Sequence, residues 1–193
     1  NNLIQGNLVK NNGGDGMHFQ WGDVVDGFTN NVIENNIIYN NGNNGITICR
    51  DSNVIQNNYI INNGGKGINI SGTYVYIGLT IEHNIISGNN GFGLDLSSNN
   101  NSLVQYNSIL NSSSASLIIP ESYIPSSNNT ISYNTFVNST GDLIKLAYGP
   151  NTFNFNNFFH NSSGSIMKQL TGNTSSINAE NNYCNTNSES DIQ

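Results

Sequence analysis

Residues 31–48 read NVIENNIIYNNGNNGITI. Asn36 stands between two apolar pairs, and the closing Ile46-Thr47-Ile48 alternates apolar and polar side chains as a half-buried strand does. The unit recurs along the chain. An Asn in the same setting returns at Asn7, Asn36, Asn58, Asn84, Asn107, Asn134, Asn157 and Asn182, at intervals of 29, 22, 26, 23, 27, 23 and 25 residues. A period of this length marks repeats that bury an apolar face only by stacking on one another.

Four apolar columns keep fixed offsets from that Asn. Three residues before it stand Ile4, Ile33, Ile55, Ile81, Val104 and Ile131, then Asn154 and Ala179; two after it stand Val9, Ile38, Ile60, Ile86, Ile109, Phe136, Phe159 and Cys184. Ten and twelve after it come pairs such as Met17/Phe19, Ile46/Ile48, Ile68/Ile70 and Leu94/Leu96, and the second column breaks at Gln169. Helical spacing is absent, and Asn and Gly at this density form poor helices. The reading is all-β: three short strands per repeat, bent at Asn and Gly, forming a single-stranded parallel β-helix of about eight coils, roughly 38 Å long at ~4.8 Å per coil. It makes one domain of residues 1–193, read as a mature or excised piece of a longer chain, since it starts at Asn1 in mid-repeat.

The repeated Asn is expected to form the bend, because Asn tolerates left-handed backbone angles, and to bond its amide to the copies on neighbouring coils. A second line, Asn11, Asn40, Asn62, Gly88, Asn111, Asn138 and Asn161, marks another corner. Gly16, Gly45, Gly67 and Gly93 open the last strand of the first four coils, where the chain is expected to turn without a side chain.

The pattern N-x-I-x-x-N-x-x-x-x-G-I-x-I, clearest from Asn36 to Ile48, resembles right-handed parallel β-helices of the pectin-lyase-like superfamily with NosD-type repeats. That superfamily includes polysaccharide lyases, hydrolases and epimerases as well as tailspikes and non-catalytic surface proteins. The resemblance implies the fold over nearly the whole chain. It does not carry over the family's catalytic signatures. The polygalacturonase N-T-D, G-D-D, G-H-G and R-I-K segments are missing, Gly14-Asp15-Gly16 keeping a single Asp, and Arg50 is the only arginine, so the Arg-rich lyase motif is missing too. The D-P-H-D motif of alginate epimerases does not occur either.

Composition bounds the partners. Of 193 residues, 42 are Asn and 20 Gly, while Lys and Arg number 5 against 12 acids, a net charge of −7. Phosphate recognition needs clustered cations, and Lys10, Arg50, Lys66, Lys145 and Lys168 are scattered, so no nucleic-acid partner is expected. No apolar run approaches the ~18–20 residues of a membrane span, so no membrane insertion is expected within this chain. Cys49 and Cys184 fall six coils apart, roughly 29 Å at strand spacing. A disulfide needs Cα atoms within ~7 Å, so they are expected to stay unpaired.

Extra residues between coils emerge at 20–29, 71–78 and 120–126, each after the same strand, so the insertions are expected on one side, where solenoids often bind. The first is the richest in chemistry. Asp15, His18, Asp23, Asp26 and Arg50 are candidate catalytic groups, able to supply acid–base partners and a cation beside a sugar. Trp21, Arg50, Tyr74 and Tyr76 are candidate carbohydrate contacts, with Trp21 and Arg50 at one offset on adjacent coils and so within cation–π reach. Asp23, Asp26 and Asp51 are a candidate Ca2+ set, since hard cations take oxygen ligands. The bland reading is ordinary loop carboxylates and one ion pair. His18, Thr47, Asn69 and Asp95 form one outward column, and Gln5, Glu34, Gln56, Glu82 and Gln105 another, whose amides and acids alternate as donors and acceptors. His83 and His160 read as surface residues, and the aromatics other than Trp21 mostly as packing. Seven N-x-S/T sequons, at Asn69, Asn100, Asn111, Asn128, Asn138, Asn161 and Asn173, would be glycan acceptors in an exported chain.

Two functions follow. The one favoured is an extracellular or cell-surface module, structural or adhesive, holding a polysaccharide or cell-surface glycan through its loops. The alternative is a polysaccharide lyase, glycoside hydrolase or epimerase. Exposed coil ends invite self-association by stacking, and side-by-side trimers are the other form expected.

Overall fold

The computed structural model describes residues 2–19, 29–70, 76–97, 99–120, 126–147, 149–160, 162–170 and 177–185. Within these, 25 short strands make three long parallel sheets and one two-stranded pair, with no helix. Each coil contributes one strand to each long sheet, so Ile33 lies over Ile4 and under Ile55, and Ile38 over Val9 and under Ile60. The first two sheets hold eight strands and the third seven. Seven coils are therefore complete and the eighth supplies two strands, slightly fewer than the eight expected.

β-branched residues fill the interior because each three-residue strand offers one or two inward positions on a pleated surface. Ile33, Ile38, Ile46 and Ile48 of the quoted stretch are all fully buried, and so are their counterparts through the sixth coil. The end coils lack a neighbour on one side, which leaves Ile4, Val9, Met17, Phe19, Ile177 and Cys184 only partly buried. Both cysteines are free thiols.

The seventh coil departs from the expected register. Ile131 pairs with Phe153 and Phe136 with Phe158, both fully buried, whereas Asn154 and Phe159 point outward. Ile144 nevertheless pairs with Met167. One extra residue between Phe158 and Met167 hides the shift, so counting back from Met167 lands on Asn157 instead of Asn156.

The same shift corrects the ladder. Asn134 donates its backbone N–H and its Nδ2 to Oδ1 of Asn156, and Asn156 donates both to Asn182. Asn157 is exposed on the neighbouring strand and takes no part. The ladder runs unbroken through Asn7, Asn36, Asn58, Asn84, Asn107, Asn134, Asn156 and Asn182 at 2.9–3.1 Å. Each amide from Asn36 on also donates to a carbonyl of the preceding coil, Asn84 to Ile55 O at 2.8 Å for example. These buried amides are thereby satisfied.

The bend itself lies one residue earlier. Positive φ falls on Gly6, Asn35, Asn57, His83, Tyr106, Tyr133, Phe155 and Asn181, each just before a ladder Asn. The other two corners repeat the device. Asn11, Asn40, Asn62, Gly88, Asn111 and Asn138 are left-handed and precede Asn12, Asn41, Asn63, Asn89, Ser112 and Ser139. Between the third and first sheets, Asn2, Asn31 and Asn53 form a ladder on the early coils, and Ser102, Asn129 and Asn151 on the later ones. There are three ladders where one was expected. The glycines that open the third-sheet strands do not have positive φ; they are small because a Cβ on Gly67 would strike Ile86 Cγ2 and sit 2.5 Å from Gly93 O.

Candidate functional site

The outward column of the third sheet runs His18, Thr47, Asn69, Asp95, Ile118, Lys145 and Lys168. Three residues upstream of each stands a second line that includes Asp15, Asn44, Lys66 and Asp142. The two lines knit together. His18 Nδ1 lies 2.9 Å from Asp15 Oδ2, with the carboxylate side chain 6% and the imidazole 47% exposed. Asp15 Oδ1 accepts the Asn44 backbone N–H at 3.0 Å, and Asn44 donates from Nδ2 to Thr47 Oγ1 at 3.1 Å.

One coil further on, Lys66 N–H donates to Asn44 Oδ1, and its Nζ reaches Asn69 Oδ1 at 2.8 Å and Asp95 Oδ2 at 2.6 Å. Asp95 is buried and also accepts from the Ser97 backbone N–H and hydroxyl. Buried charge is tolerable only when paired and hydrogen-bonded, and here both conditions hold. Toward the far end, Lys145 and Lys168 approach Asp142 Oδ2 at 3.9 and 3.7 Å.

Among the described residues this face gathers most of the charged side chains, cations and carboxylates alike. Four of the five cations lie on it or just beyond its strands; the fifth, Lys10, sits over the Tyr39 ring on the second sheet. Asp15 and His18 are brought together as a pair in which a buried carboxylate can orient a half-exposed imidazole. Arg50, half-buried, and Asp51 follow the third-sheet strand Ile46–Ile48, and Asp51 Oδ1 accepts the Ile77 N–H at 2.9 Å. The sequence reading did not single out Lys66, Asn44 or Ser97. The signal was present as the line three residues before the outward column.

Trp21, Asp23, Asp26 and Tyr74 lie outside the described residues, so the Trp21–Arg50 pair does too. Tyr76 begins a short strand, Tyr76–Ile77, whose backbone pairs with Asn99–Asn100. Of the Ca2+ set only Asp51 is described, and among the described residues no three His, Cys, Asp or Glu side chains converge on a metal position. The insertions at 20–29, 71–78 and 120–126 follow Met17–Phe19, Ile68–Ile70 and Leu117–Ile119, all strands of the third sheet.

In the amide–acid column Gln56 donates to Glu34, and Gln105 to Glu82 at 2.7 Å. His160 Nε2 lies 3.0 Å from Ser162 Oγ. The aromatics do more than pack. His83, Tyr106, Tyr133 and Phe155 form an outward stack at the corner between the first and second sheets, with centroids 5.0–5.1 Å apart.

The fold and this face define a parallel β-helix with one polar, charge-bearing side. A family model described as "Right handed beta helix region" matches residues 1–79 and 73–184, and the chain belongs to that family. No curated protein matches. Among solved structures, the chain is similar to the A-module of Azotobacter vinelandii mannuronan C-5 epimerase AlgE6, with a TM-score of 0.64 at 14% identity over 96% of this chain and 58% of that one. It is also similar to the AlgE4 A-module, with a TM-score of 0.56 at 15% identity over 95% and 57%. At these identities the likeness is one of fold, and the chain spans less than two thirds of either module. No helix among the described residues is long and apolar enough to cross a membrane.

Proposed function

We propose that this chain is an extracellular or cell-surface β-helix module that holds a polysaccharide against the outer side of its third sheet. The observation that carries the reading is the polar network there: Asp15–His18, Asn44–Thr47 and Lys66–Asn69–Asp95 stand in register on successive coils. Thr47, Asn69 and Asp95 are themselves buried, so the groups this row offers to a polymer along the solenoid axis are the exposed His18 imidazole and the partly exposed Lys66 ammonium that the buried ones hold in place. The insertions leaving the same sheet, with Trp21, Tyr74 and Tyr76, supply ring faces for sugars, and the Asp23, Asp26 and Asp51 carboxylates are where Ca2+ would bridge to an acidic sugar. Surface placement agrees with the exposed sequons at Asn111, Asn128 and Asn138, whereas Asn69 is buried against Lys66.

A second reading has its own support. A buried carboxylate orienting a half-exposed imidazole, as Asp15 does His18, suits proton transfer in a lyase, hydrolase or epimerase. One assay tests both readings: a panel of neutral and acidic polysaccharides, with and without Ca2+, scored for binding, for new reducing or unsaturated ends and for changed sugar stereochemistry. Binding without product, weakened at least tenfold in Lys66→Met, supports the module. Product that disappears in His18→Gln replaces it with the enzyme. No binding and no product anywhere in the panel overturns both.

A further inference from the structure

The second sheet presents the opposite character. Its outward side carries Leu8, Ile37, Tyr59 and Tyr183 in one column, all 46–57% exposed, with Ile85 between them and Ser108, Thr135 and Asn157 interrupting it, and Tyr39, Ile61, Leu110, Val137 and Phe159 in the next, interrupted by Ser87. Lys10 is the one charged residue in either column. The stack of Tyr106, Tyr133 and Phe155, each 47% exposed, borders it. Of the nine large apolar side chains that are exposed among the described residues, seven lie on this sheet or this corner.

The stacked rings are held at a backbone cost. Tyr106, Tyr133 and Phe155 have φ of 55–58°, where bulky side chains are strained and where other coils place Gly6, Asn35, Asn57 and Asn181. Stacking offsets part of that strain. It also turns the inner ring faces toward one another and leaves edges outward, which suits packing against a protein surface better than stacking on a sugar.

We propose that this face is a self-association surface, occupied by the same face of a second copy of this chain. Three-residue strands give a sheet about 10 Å wide and, over eight strands at ~4.8 Å, about 34 Å long. The corner stack widens it to roughly 15 Å, so a pair buries on the order of 1,000 Å2, the lower limit for a specific interface. Charge sets the orientation. Each copy carries −7. The outward columns of the second sheet carry Lys10 as their one charged residue, so joining two copies there keeps the remaining charges of each out of the contact, where solvent and salt screen them. The contact is isologous, so a residue near the middle of the sheet approaches its own copy.

Sedimentation velocity of the 193-residue chain across concentration tests this. The expected result is a monomer–dimer equilibrium on the order of micromolar, strengthened by added salt because the interface is apolar and the net charges repel. Ser108→Glu, which sets two carboxylates against each other near the two-fold axis, should weaken it at least tenfold. Tyr133→Asn, which installs the residue other coils use at that bend, should weaken it with unchanged strand circular dichroism, and it serves if Ser108→Glu fails to fold. A chain that stays monomeric at hundreds of micromolar overturns the proposal. So does a dimer indifferent to both substitutions but lost in Leu3→Asp, which would place the contact at the coil end. A monomer that instead binds a neutral insoluble glycan, and loses it in Tyr59→Thr, also overturns it.

Discussion

Asn134 reaches Asn156 twice, through its backbone N–H at 2.9 Å and its Nδ2 at 3.1 Å, while Asn157 beside it faces solvent. Removing the Asn156 amide strands the Asn134 backbone N–H, while Asn134 Nδ2 keeps Val104 O and Ser132 O; it also takes a donor from Ile131 O and from Asn182 Oδ1, and each group left unpaired costs ~1–3 kcal/mol. Asn156→Ala should therefore lower stability by about 3–5 kcal/mol, and Asn157→Ala by less than about 1 kcal/mol. Denaturant unfolding of the two variants checks this, and equal losses would contradict the register.

The same register ranks two adjacent phenylalanines. Phe158 is fully buried and stacks on Phe136 at 5.3 Å, whereas Phe159 lies half-buried on the outer side. Phe158→Ala should cost ~3–5 kcal/mol. Phe159→Ala should cost clearly less in the same unfolding measurement, and a larger loss there would show the column to be misplaced.

Away from the positive-φ bends at Gly6, Gly78 and Gly88, the glycines divide by space. A Cβ at Gly67 would crowd Ile86 and the Gly93 carbonyl, while one at Gly141 meets nothing within 4 Å. Gly67→Ala should destabilise by ~1–3 kcal/mol through overpacking. Gly141→Ala should be neutral, or stabilising by up to ~1 kcal/mol by restricting the unfolded chain. Melting temperatures of the pair decide it.

Lys66 and Asp95 should behave as a coupled pair. Lys66→Met leaves the buried Asp95 carboxylate with Ser97 alone and should cost about 1–3 kcal/mol, moderated because Lys66 is one-third exposed. The double variant Lys66→Met, Asp95→Ile should recover most of that loss, since Ile118 already fills the next position of the same column. A double-variant cycle without coupling would remove the pair from the network.

Burial pushes the Cys184 thiol above its usual range. A folded thiol that holds its proton more tightly than the unfolded one contributes stability below the unfolded value, ~8.5. That contribution is lost as pH rises through the folded value. Iodoacetamide should therefore modify Cys184 more slowly at pH 8 than a free thiol, the rate rising with pH. Modification as fast as in the unfolded chain would refute the burial.

The period, the columns Ile33, Ile38, Ile46 and Ile48, and the amide bonding of Asn36 were legible because each repeat must present the same residue at the same height, so tertiary contact is written as sequence interval. The bends were legible only in part. An Asn such as Asn35 or Asn36 suits either the left-handed corner or the ladder, and composition alone cannot say which of two adjacent Asn turns the chain.

Where the interval slipped, between Phe158 and Met167, only the stacked strands showed which residues face inward, because a one-residue shift reverses every side chain. The candidate site follows the same division. His18 and Asp95 could be placed on one outward line from spacing. That Lys66 reaches across a coil to Asp95, and that Asp15 is buried behind His18, depended on coils packed within hydrogen-bond distance. By itself the sequence determined a stacked all-β solenoid, because its apolar intervals have no other way to leave water. Tertiary structure decided the segregation of one charged side from one apolar side, because that depends on which of three sheets each outward residue joins.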